Sequence, residues 1–155
     1  MSETAGDSPG IWHTWPDPAK LTSWRGETMA AHLDIRFVQA GDDYLTAAMP
    51  VDHRSLQPFG LLHGGASCAL AETLASIAGN LVLDTSRNHA LGMSINASHL
   101  RPVSEGRIFA TARPRHLGRK TQVWAVEIED EKQRPVCVAR ITLAVIEGQW
   151  SGSRD

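Results

Sequence analysis

The stretch Gln57 to Gly79, QPFGLLHGGASCALAETLASIAG, constrains this chain more than any other. It reads as a loop with a polar mouth running into a helix whose residues are small and apolar, with Glu72 as the one carboxylate among them. An ionisable group in such a setting is costly unless something pairs with it or uses it. The rest of the chain reads as scaffold for this segment.

Helical geometry divides the segment into two faces. At about 100° per residue from Glu72, Leu70, Leu74, Ile77 and Leu81 fall within roughly 40° of the opposite side and are expected to face a sheet. On the Glu72 side lie Gly65, Cys68, Ala69, Ala75, Ser76 and Gly79, all small, so a ligand or a second backbone can come close. Ser76, four residues on, points the same way as Glu72. A packing surface for a neighbouring helix, with Glu72 paired to a basic residue, would look similar. The polar mouth favours a site: Gln57 and His63 precede Gly64-Gly65 at the helix start, where unpaired N–H groups suit an oxygen gaining negative charge.

Around the helix the period is two. Asp34 to Gln39 and Asp43 to Val51 alternate about the Gly41-Asp42-Asp43 turn, which predicts a hairpin. Four extended runs follow the helix, at Ala90 to Leu100, Arg107 to His116, Thr121 to Glu129 and Val136 to Ile146. In the third, Gln122, Trp124, Val126 and Ile128 share one face, and Gly118-Arg119-Lys120 supplies a turn before it. Strands in succession with tight turns predict antiparallel pairing, hence an α+β fold.

With 155 residues the chain has room for one domain, expected over residues 19–148. Residues 1–18 and 149–155 read as flexible ends, with Trp12 and Trp15 as candidates to dock on the body, and one or two short helical turns broken near Gly26 are expected before Leu33. Fifteen basic residues against seventeen acidic ones give no broad cationic field for nucleic acid or an anionic membrane. The opening MSETAGDSPG lacks the apolar core of a secretory signal, and Cys68 and Cys137 sit in apolar runs that suit buried thiols, so a cytoplasmic location is expected. The seven histidines show no metal-ligand spacing, and no metal is expected. His53 and His89 read as surface or turn residues. Cys68 lacks a His/Asn partner pattern, and Ser67 in GGASC is not the strained nucleophile elbow, so both read as structural.

Spacing carries a quaternary inference. His63 and Glu72 stand nine residues apart, or about 13 Å along a helix, too far to touch one carbonyl together. Two such helices packed antiparallel across a two-fold would set the N-terminus of one beside the middle of the other and create two equivalent sites.

In LLHGGASCALAETLASIAGN, MAAHLDI, INASHLRPVSEG and RHLGRKTQVW the chain resembles the hotdog-fold acyl-CoA thioesterases, over about Thr28 to Ile146. The resemblance implies an antiparallel sheet wrapped around one long central helix. It implies hydrolysis of acyl- or aroyl-CoA thioesters, with acyl-carrier-protein thioesters as further candidates, and no cofactor beyond the CoA of the substrate. By the same resemblance Glu72 is the catalytic nucleophile or general base. Gln57, His63 and the Gly64 amide of the other subunit polarise the carbonyl, and Ser76 lies near the attacking group. His99, Arg101 and the turn Gly118, Arg119, Lys120 match positions near CoA, with Arg113 and Arg115 joining a basic cluster there. A homodimer with shared sites is implied, assembled as a dimer of dimers, a homotetramer. Two competing readings are a hotdog dehydratase or hydratase and a non-catalytic acyl-CoA binder. Gly64-Gly65 directly after His63 argues against the first and the full Gln57, His63, Glu72 set against the second.

Overall fold

The structure, a computed structural model, describes residues 10–148. Two short helices, α1 (Pro18–Ser23) and α2 (Met29–His32), precede β1 (Arg36–Ala40) and β2 (Leu45–Pro50). The long helix α3 (Gly64–Leu81) follows, then β3 (Asn88–His99), β4 (Arg107–Leu117), β5 (Thr121–Asp130) and β6 (Pro135–Glu147). Asp17 caps α1 by accepting from Ala19 N and Lys20 N, with Pro18 in the first helical turn, where a missing N–H costs nothing. Gly26, at φ +57°, breaks the chain between α1 and α2.

The six strands form one antiparallel sheet in the order β1-β2-β4-β5-β6-β3. Pairing of each strand with its successor holds for β1 with β2, β4 with β5 and β5 with β6. It fails between β3 and β4, which lie three places apart. The helix carries the chain from β2 to the far edge of the sheet, and the link over residues 100–106 brings it back. That link is itself tied down: Leu100 N donates to Val136 O, Leu62 N to Val103 O and Val51 N to Gly106 O.

The inner face of the sheet closes on α3. Gln122, Trp124, Val126 and Ile128 are all buried, as their alternation predicts, and they meet Leu70, Ala71, Leu74 and Ala78 in the core. Buried Gln122 is fully used, its amide donating to Gly79 O at 3.1 Å and its Oε1 accepting from Trp124 Nε1 at 2.9 Å. The buried arc of α3 differs from the flat-wheel expectation. Leu70 and Leu74 are buried, but Ile77 and Leu81 are only partly so, while Ala75 and Gly79, assigned to the Glu72 side, are buried. A β-carbon on Gly79 would stand 2.4 Å from Leu143 Cδ1. A twisted sheet follows the helix surface, so the buried stripe is wider than one wheel face and shifts along the helix.

Residues 10–17 are not a flexible extension. Trp12 is 3 % exposed, stacks on Trp124 with ring centroids 6.3 Å apart, and donates through Nε1 to Gly41 O at 2.7 Å. Ile11 N donates to Asp42 O, and His13 N and Thr14 N both donate to Leu81 O at the end of α3. Trp15, also expected to dock, is 48 % exposed. Residues 1–9 and the tail 149–155 lie outside the described residues. Among the described residues no helix is long and apolar enough to cross a membrane.

Candidate active site

The start of α3 is built by the loop before it. Leu56 and Leu62 form a β-bridge, Gln57 N donates to Leu61 O, and His63 N donates to Ser55 O, so the chain enters the helix in a fixed direction. His63 is the N-cap, its Nδ1 accepting from Gly65 N at 2.8 Å. In the neutral ring an accepting Nδ1 places the proton on Nε2, leaving that atom as a donor. Ala66 N and Ser67 N donate to His63 O. Of the first-turn N–H groups that a helix leaves unpaired, only that of Gly64 has no acceptor among the described residues.

That N–H lies beside a cleft of about 320 Å³ lined by Gln57, Gly64, Ser67, His99 and Arg101. His99, from the end of β3, reaches in so closely that a β-carbon on Gly64 would sit 2.7 Å from its Nε2. Gln57 Oε1 accepts from Phe59 N, which leaves its amide nitrogen as the free donor end. Five residues singled out from the sequence therefore belong to this end of the helix: Gln57, Gly64, His99 and Arg101 line the cleft, and His63, exposed at the rim, caps the helix beside it.

Glu72 lies in a different cleft, of about 410 Å³, with Gly65, Cys68, Ala69, Met29, Gly92 and Ser94 among its walls. Ser76 Oγ is 3.5 Å from Glu72 Oε1. Burial pushes the Glu72 carboxyl above its ordinary value, and the Ser76 hydroxyl pulls partly the other way. Across from it Gly92 interrupts β3. A β-carbon there would stand 2.0 Å from Glu72 Oε1, and the β3–β6 register shifts between Gly92 and Ser94. The carboxylate thus rests over bare backbone.

The two clefts lie on different faces of α3, so one chain does not bring Gly64 N–H and Glu72 together. The turn Gly118, Arg119, Lys120 lines neither. Arg113, grouped with it from the sequence, instead pairs with Asp43 at 2.7 Å and lies 4.6 Å over the Tyr44 ring. His89 is no surface turn residue but a half-buried member of β3. Both cysteines are free, and burial, helped by nearby Cys68, pushes the Cys137 thiol up to about 11, which makes it inert at neutral pH. Among the described residues no group of three His, Cys, Asp or Glu side chains could hold a metal ion.

Gly92 and Met29 escaped the sequence reading. An isolated glycine inside a strand is a signal for a bulge or a close approach, and Gly92 is both. Met29 gave no signal, since only folding brings α2 to the cleft.

Comparison with known proteins agrees with this fold. The description "Thioesterase superfamily" matches residues 59–137. The chain is 51 % identical over 136 residues to the 1,4-dihydroxy-2-naphthoyl-CoA hydrolase of Escherichia coli, covering 88 % of this chain and 99 % of that one. It is 50 % identical over 138 residues to the proofreading thioesterase EntH of Cronobacter sakazakii, covering 88 % and 98 %. A thioesterase of Pseudomonas aeruginosa, solved as a mutant, superposes with a TM-score of 0.88 at 45 % identity, covering 89 % of this chain and 99 % of that one.

Proposed function

Because the chain belongs to the thioesterase superfamily and has its hotdog fold, we propose that it hydrolyses acyl- or aroyl-CoA thioesters, with carrier-protein thioesters as alternative substrates, at two sites shared across a homodimer. The observation that carries this reading is the separation of Gly64 N–H and Glu72 into two clefts of one chain. Neither half is a hydrolytic site alone.

β3 supports the pairing of two copies. It is a 12-residue edge strand exposing Leu91, Met93 and Ile95, with no proline or lysine to block an approaching strand. Two copies joined antiparallel at this edge set their α3 helices side by side and running opposite ways. Gly64 of one chain then faces Glu72 of the other. This pair could in turn assemble as a dimer of dimers.

In the shared site the thioester oxygen accepts from Gly64 N–H, with the Gln57 amide and His63 Nε2–H as further donors. Negative charge grows on that oxygen as the carbonyl carbon becomes tetrahedral, and each well-placed donor is worth about 3 kcal/mol there. Glu72, as the anion, either removes a proton from the attacking water or attacks the carbon itself to give a mixed anhydride that water opens. In the first route the C–S bond breaks and the CoA thiolate leaves, taking up the proton that Glu72 removed from water. In the second the C–S bond breaks as the anhydride forms, the thiolate takes a proton from solvent, and water then opens the anhydride to the free acid and the Glu72 carboxylate. Ser76 donates to the Glu72 carboxylate and keeps its anion accessible. Arg101 and His99 sit where they can meet the CoA arm, and Arg119 and Lys120 offer exposed charge for its phosphates.

Mixed dimers test the shared site. His63→Ala and Glu72→Ala homodimers should each lose activity with benzoyl-CoA, and co-assembly should restore about half of the wild-type rate per heterodimer, because one of two sites is then intact. No recovery on mixing would defeat the proposal. A single turnover in ¹⁸O-water, followed by mass analysis of the enzyme, separates the two routes: label in the Glu72 carboxylate means an anhydride.

A further inference from the structure

We infer that the N-terminal strap, from Ile11 to Trp24, forms the outer wall and blind end of the chamber that takes the acyl group, and that Leu21 and Trp24 select thioesters of extended, apolar acyl chains. This rests on the thioesterase reading above and adds the substrate class.

The Glu72 cleft does not stop at Glu72. α3 and β3 run side by side in opposite senses, with Glu72 of the helix facing Gly92 and Met93 of the strand. One to two turns further on, Ile77, Asn80 and Leu81 face His89, Ala90 and Leu91 across a second cleft of about 710 Å³. Ser76 links the two regions, its Oγ 3.5 Å from Glu72 Oε1 and its carbonyl accepting from Asn80 Nδ2, which lines the second cleft.

The outer wall of the second cleft comes from the strap: Thr14, Leu21 and Trp24 line it. Leu21 is partly buried against the core, whereas Trp24, at the end of α1, is 74 % exposed, a large ring left in water at the lip of an apolar trough. At the far end His13 N and Thr14 N both donate to Leu81 O, which ties the strap to the end of the helix. The strap cannot lift freely there, because Trp12 is buried beside Trp124. Polar lining near the middle is already satisfied: Asn80 donates to Ser76 O and Ala90 O and accepts from Ala90 N, so it fixes the helix to β3 and presents no free group to a ligand.

A carbonyl held at Glu72 therefore directs its acyl group along an apolar channel of fixed length. From Glu72 to Leu81 is about 13 Å along the helix axis, well beyond the reach of an acetyl group or a single ring. A straight chain long enough to reach Leu21 and Trp24 buries apolar surface at each step, and a longer one meets the strap.

The test is a series of straight-chain acyl-CoAs from acetyl to palmitoyl, scored by kcat/KM on wild type, Leu21→Trp and Trp24→Ala. Wild type should prefer a middle length such as decanoyl over both ends of the series. Filling the channel with Leu21→Trp should lower the decanoyl-to-acetyl ratio about tenfold or more, and removing the exposed ring with Trp24→Ala should lower it several-fold through KM. Trp24 is too exposed for its loss to unfold the protein, so it keeps the test decisive should Leu21→Trp fail to fold. A flat length profile in wild type, or an unchanged ratio in the folded variants, overturns the inference. Absence of hydrolysis with every thioester would count instead against the thioesterase reading. Calorimetric titration with decanoyl-CoA would then decide the chamber by itself, equal affinity in wild type and variants overturning it.

Discussion

The two ends of α3 are built on opposite rules. At its start Gly64 keeps an N–H without an acceptor among the described residues, His63 presents Nε2, and the flanking residues are glycines and small side chains around open clefts. At its end nearly every polar group is engaged: Gly79 O accepts from Gln122, Asn80 makes three hydrogen bonds, and Leu81 O accepts from two strap N–H groups. The anchored end fixes the axis and rotation of the helix, which lets the open end hold unsatisfied donors in a set direction without collapsing onto them. Changes at the open end should therefore cost turnover, and changes at the anchored end should cost stability.

The largest effect expected is at Glu72. Glu72→Ala should lower kcat by about 10²–10⁴-fold. Its isosteric counterpart sharpens the contrast. Burial raises the folded-state pKa of Glu72, so the native state binds a proton more tightly than the unfolded chain does, and the ionised group opposes folding as pH rises past the unfolded value near 4. Glu72→Gln should accordingly show a higher Tm than wild type at pH 7 and no advantage below about pH 4. An equal or lower Tm at pH 7 would mean that the carboxylate is held by partners at no cost, and the rule for the open end would fail.

Next comes Gly92. A methyl group there meets Glu72 Oε1, and a carboxylate displaced by an ångström should lose about 10²-fold in kcat, with Tm nearly unchanged. Trp12→Ala probes the other end: it removes a buried ring and its bond to Gly41 O, for a cost of about 3–5 kcal/mol in urea unfolding. Molecules that remain folded should keep most of their kcat with short acyl-CoAs. Asn80→Ala, which strands Ala90 N and O, should cost about 1–3 kcal/mol.

The smallest effect belongs to Ser76→Ala. Its hydroxyl lowers the Glu72 pKa against the larger effect of burial. Without it the acid limb of the kcat–pH profile should move to higher pH, with a loss of only a few-fold at pH 8. A limb that moves down, or not at all, would assign that limb to another group.

Much of this could be read in residue order. Alternation placed all six strands, since a period of two survives whatever the strands pair with, and the helix with its polar mouth stood out from GLLHGG through Glu72. Local turn chemistry located Gly26 and the β4–β5 turn. The sequence also separated His63 from Glu72, because helical rise is the same in any fold.

Only the tertiary structure settled which edge β3 occupies, since strand order depends on where a helix sets the chain down and not on turn length. It turned Ala75 and Gly79 inward, because a wheel drawn for a flat contact cannot anticipate a sheet that bends around it. It made Gly92 the floor beneath Glu72 and brought Met29 to the same cleft, contacts between segments far apart in the chain. And it fastened Trp12 to Trp124 and Leu81 to the strap, making residues of a polar leader one wall of a cleft. Periodicity and helical rise are local properties that a sequence carries by itself; which surfaces meet is decided by the burial and hydrogen bonding of the whole chain at once.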